Sequence, residues 1–105
     1  MIEISPSKVV QIIFLAREEG RADTELAGFI ENLNDDEKAH LTAIAWVGRG
    51  TYEAGDYTAA LQNAYAEATV PTSVYLLGMP HLAENLEAGL DAMGIDVAAE
   101  EEDFL

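Results

Sequence analysis

The 105-residue chain has no cysteine, three prolines, two histidines and five basic residues. Each shortage excludes something. Without Cys there is no disulfide framework, no thiolate zinc site and no thiol nucleophile. Five Lys and Arg against 20 Asp and Glu leave a formal net charge of -15. Phosphate backbones need clustered cations, so nucleic acid is excluded as a partner. Anionic membrane surfaces are disfavoured for the same reason. The longest apolar stretch, Val9 to Ala16, is broken by Gln11. It falls far short of the roughly 20 residues of a membrane span. The opening MIEISPSK has no basic signal-peptide region, which fits a cytoplasmic protein.

What is present is apolar. Hydrophobic residues make up 50% of the chain, too many for wholesale disorder. A chain of this length fits one domain, expected over residues 1–95, with one modest core. The acid is unevenly spread. The last ten residues, DVAAEEEDFL, hold five acids and no base; the preceding 95 hold fifteen acids and five bases. Residues 96–105 read as a flexible acidic tail.

Helix signals divide the body. Ser5-Pro6 opens a first helix, Ser as N-cap and Pro at the first turn, and Gly20 closes it. Its VVQIIFLA segment is apolar nearly all round, which predicts a place in the middle of the core. Asp23 or Thr24 caps a second helix to Leu33, with a Leu26, Phe29, Ile30, Leu33 stripe. Asn34 starts a third, with Glu37 at capping-box spacing and Gly50 at its end. Residues 50–56 read as a loop. Asp56 caps a fourth helix that Val70-Pro71 breaks, and its stripe is Tyr57, Ala60, Leu61, Ala64 and Ala68. TSVYLLG forms a short helical turn. Met79-Pro80 introduces a last helix, which Gly94 stops with Ile95 as its apolar partner. The prediction is an all-α, orthogonal bundle of five to six short helices.

Two stretches exceed helix grammar: DEKAHLTAIAWVGRG at 36–50 and YLLGMPHLAENLEAGLDAMG at 75–94. Together they resemble the bacterial domain-of-unknown-function family 3775. The family pattern has a Trp-x-Gly-Arg-Gly helix end, then a Tyr-Leu-x-Gly-x-Pro turn. Thr51 stands where that pattern has an acidic residue, and Met79 where it has Thr. The resemblance spans roughly residues 24 to 95. It implies a small helical bacterial domain and no activity.

Candidate site residues are few. Trp46 and Arg49, three apart, share a helix surface. Arg49 could hook a carboxylate or phosphate beside the Gly48 and Gly50 backbones. The favoured alternative is that it neutralises nearby carboxylates and its own helix end, with Gly50 as the cap. His40 and His81 match no metal or catalytic pattern and read as surface or cap histidines. The three serines, Ser5, Ser7 and Ser73, sit in no nucleophile elbow. Tyr57 and Tyr65 read as partly buried packing residues with wet hydroxyls. No cofactor or metal is called for.

The leading function is a non-enzymatic protein-interaction or regulatory module steered toward a basic protein partner. The alternative is a small-ligand binder or enzyme with Trp46, Arg49, Tyr75 and His81 around one pocket. A nucleic-acid mimic ranks third, since it needs carboxylates in ordered rows. Helices 24–33 and 35–49 do not make a DNA reader. Asp35, Asp36 and Glu37 crowd the end that would meet the bases.

Overall fold

The sequence's caps and stops become six α-helices in the computed structural model, which describes residues 2–18, 23–67 and 70–97. They are α1 (Pro6–Arg17), α2 (Asp23–Glu31), α3 (Asp35–Arg49), α4 (Tyr57–Ala66), α5 (Thr72–Leu77) and α6 (Leu82–Ala92). No strand occurs among the described residues. Gly20, Ala68 and tail residues 98–105 lie outside them. Val97, at the described end, packs half-buried against the core.

α3 is the best-defined element. Asn34 accepts the Glu37 N–H at 2.7 Å, and Glu37 accepts the Asn34 N–H at 3.0 Å, a complete capping box. At the other end Gly50 adopts φ 93°, and Thr51 N–H bonds back to the Trp46 carbonyl at 3.0 Å. That is a Schellman closure, in which left-handed glycine costs no Cβ clash. Gly94 (φ 82°) closes α6 likewise, with Ile95 N–H on the Leu90 carbonyl at 2.9 Å.

Several boundaries differ from the sequence reading. Pro6 does occupy the first turn of α1, but the Ser5 side chain makes no capping bond. α1 runs only to Arg17. α2 ends at Glu31, although Leu26, Ile30 and Leu33 are buried as the stripe predicts. The 50–56 segment contains a 3-10 turn, Ala54–Asp56. α4 closes on Glu67, whose N–H reaches the Asn63 carbonyl at 2.9 Å, short of Val70-Pro71.

The central position belongs to α3, not α1. Ala39 to Val47 of α3 are all buried, whereas Phe14, Leu15 and Ala16 of α1 are only half-buried. α3 packs against α6, α4 and α5, while α1 packs against α6 and α2. The reason is side-chain size. Ala39, Thr42, Ala43, Ala45 and Gly48 let neighbours approach α3 from several directions. The closest approach is to α6. A Cβ added at Gly48 would lie 1.6 Å from the Asn85 carbonyl oxygen, and one at Gly89 would lie 2.1 Å from that of Ile44. Only glycine fits either position.

Candidate functional site

The α6 contact fixes how α3 is rotated. At about 100° per residue, Trp46 and Thr42 lie on the side of the helix opposite Ile44 and Gly48. That side is the floor of a groove. Asp35, Lys38, Ala39, Thr42 and Trp46 follow one another along α3 at steps of one, three or four residues. Ala64, Tyr65 and Glu67, at the end of α4 and just beyond it, form one wall. Val70, Thr72 and Tyr75 form the other. Two adjoining cavities, about 220 and 340 Å³, share Thr42, Ala64 and Thr72. From Asp35 to Trp46 the floor is roughly 16 Å long at the helical rise.

Aromatic groups dominate the narrower end. The Trp46 indole N–H donates to the Tyr75 hydroxyl at 2.8 Å. The Tyr75 ring stands edge-on to Trp46, centroids 6.4 Å apart. Tyr52 stacks on Trp46 at 5.9 Å and is tied through its hydroxyl to the Asn63 amide. Trp46 is only 6% exposed, so it is floor rather than rim. The rim is apolar and open at Val70 and Tyr75, which are 50% and 37% exposed.

The groove's charge is negative. Lys38, its one cation, is held at 3.2 Å by Glu31. Glu31 also accepts the Ser73 N–H at 2.9 Å, which anchors the start of α5. The Ser73 hydroxyl and N–H, with help from Lys38, hold the Glu31 carboxyl below its usual range. Asp35 and Glu67 pair with no cation among the described residues. The Tyr65 hydroxyl donates to Asp36, and that bond pushes the Tyr65 phenol up to about 12. Elsewhere, Lys8 pairs with Glu37 at 2.6 Å and Arg17 with Glu87 at 3.1 Å.

Of the four residues proposed from sequence, the fold brings Trp46 and Tyr75 together. Arg49 and His81 are not among the residues lining that cavity. Arg49 is exposed, and its Nε donates to Thr51 Oγ1 at 3.0 Å. Among the described residues it meets no carboxylate, so the expected neutralising role has no partner there. Gly50 is the cap that was expected. Gly48 serves the α6 crossing rather than a ligand. His81 lies before α6 in the left-handed region, φ 58°, a conformation that His adopts more readily than most residues. It lines a separate concavity with Arg17, Leu26, Leu77 and Met79.

His40 is not a surface histidine. It is 1% exposed, with Nδ1 2.6 Å from the Tyr57 hydroxyl and Nε2 4.0 Å from the Glu3 carboxylate. Burial lowers its pKa and keeps it neutral, against a weaker upward pull from Glu3. Burial likewise pushes the Tyr57 phenol up. The Tyr57 hydroxyl is therefore internal, not wet, while Tyr65 is 46% exposed. Neither His40 nor Tyr57 lines any of these cavities; the pair joins α3 to the start of α4. Among the described residues, no three His, Asp or Glu gather closely enough to hold a metal.

Thr42, Ala64, Glu67, Val70 and Thr72 escaped the sequence reading. One signal pointed to Thr42: polar and aromatic residues Asp35, Lys38, Thr42 and Trp46 recur at helical spacing on α3, away from its Leu41–Ile44–Gly48 face. The second wall carried no such signal, because a sequence does not show where α5 folds back.

No curated protein and no solved structure matches the chain. A family model does, over residues 23–95, close to the span of the resemblance and covering all of the described groove. The chain thus belongs to the family described as Protein of unknown function (DUF3775).

Proposed function

We propose that the protein is a non-enzymatic recognition module. It binds a partner protein through a segment rich in basic and apolar residues, seated in the α3–α4–α5 groove. The observation that carries this is the pairing of an exposed apolar rim (Val70, Tyr75) with a groove whose unpaired charges are carboxylates. Burying the rim supplies affinity, and the aromatic floor supplies an anchor. The net charge of -15 steers a cationic partner and repels acidic ones.

Selection from a random 12-residue peptide library on the immobilised full chain tests this. Enriched peptides should combine Lys or Arg with bulky apolar residues. Their binding should weaken with added salt and with Val70→Ser, at an exposed rim position. Failure to enrich such peptides, or binding indifferent to Val70→Ser, would overturn the reading.

A further inference from the structure

The Trp46 end of the groove has a chemistry of its own. Trp46 lines the 220 Å³ cavity with Thr42, Glu67, Thr72 and Tyr75. Tyr52 stacks on Trp46 without lining that cavity. The Trp46 and Tyr75 rings are inclined at 82° and form a corner. Glu67 is the one charged group among the lining residues.

We propose that this corner receives the head group of a single lysine or arginine side chain of the partner, against the aromatic rings and paired with Glu67. The inference rests on the groove being a docking surface and names what anchors the partner there. Three considerations select a cation. Aromatic ring faces attract ammonium and guanidinium groups within about 6 Å of the centroid, Trp most strongly. The Glu67 carboxylate favours a positive group and repels an anion. A neutral apolar side chain would strip water from Glu67 and offer no partner in return. The cavity's size fits one side chain better than a whole ligand.

Trp46 is the only tryptophan, so its emission reports from the wall of the cavity itself. The full chain is titrated at constant ionic strength with N-acetyl-lysine methylamide, N-acetyl-arginine methylamide and the neutral N-acetyl-norleucine methylamide. The two cations should give a saturable change and norleucine none. Glu67→Gln should weaken the cation response about tenfold, the loss of one charge-assisted contact. Glu25→Gln, at an exposed position on α2, should leave it intact. A non-saturating response, an equal response to norleucine, or full retention in Glu67→Gln would overturn the proposal. Enriched peptides that bind while the cations give no response would leave the docking groove standing and remove the cation corner. A Glu67-dependent cation response with no peptide enriched would do the reverse.

Discussion

At the residue scale, the glycines separate by what surrounds them. Gly48 and Gly89 face backbone atoms of the opposing helix, which cannot rotate away. Gly48→Ala or Gly89→Ala should destabilise by about 1–3 kcal/mol or more, since α3 and α6 must move apart. Gly28, inside α2, has open space where its Cβ would stand. Gly28→Ala should stabilise by about 0.5–1 kcal/mol through helix propensity alone. Urea unfolding of the three variants should give opposite signs for the two classes.

His40 makes a second residue-scale prediction. Burial holds its pKa below the ordinary 6.5, so the unfolded chain binds that proton more readily than the folded one. Stability is then intact above pH 6.5 and declines as pH falls through the lower folded value. Glu31 and Glu37, both held below 4.5, have the same sign but act only in more acidic solution. Urea midpoints measured against pH should therefore fall in two stages. His40→Gln should lower the midpoint throughout yet flatten the upper stage and leave the lower one.

At the element scale, α5 is six residues long, too short to persist by itself. It is held from outside by Glu31 on the Ser73 N–H and by buried Leu76. Glu31→Ala should speed hydrogen exchange of α5 amides while α3 and α6 stay protected. Equal loosening everywhere would mean that α5 and the core open together. α3 carries its own support, and Asn34→Ala should cost about 0.5–2 kcal/mol for loss of the capping bond. The start and stop of α3 were legible for that reason: Asn34, Glu37 and Gly50 act within one turn. The extents of α2 and α4 were less legible, because no left-handed glycine closes either helix.

At the scale of the whole molecule, acid outweighs base fourfold, 20 residues to 5. Three of the basic residues, Lys8, Arg17 and Lys38, already sit in ion pairs. The remaining carboxylates repel one another, and salt shortens the range of that repulsion. Thermal unfolding at neutral pH should shift upward from low salt to about 0.5 M sodium chloride, as screened self-repulsion outweighs screened ion pairs. A downward shift would show that the few pairs matter more than the excess charge.

The sequence by itself determined that the chain is helical, where its best-capped helix begins and ends, and which family it resembles. Those properties depend on neighbours within about a turn or on motif spacing. Tertiary structure decided which helix is central, that His40 lies inside, and that Trp46 meets Tyr75 but not His81. Each of those depends on the rotation of α3, set by two glycines 41 positions apart in the chain, Gly48 and Gly89. Apolar content marked α1 as the core helix. Small side chains made it α3 instead, because a helix is surrounded only where its neighbours can come close.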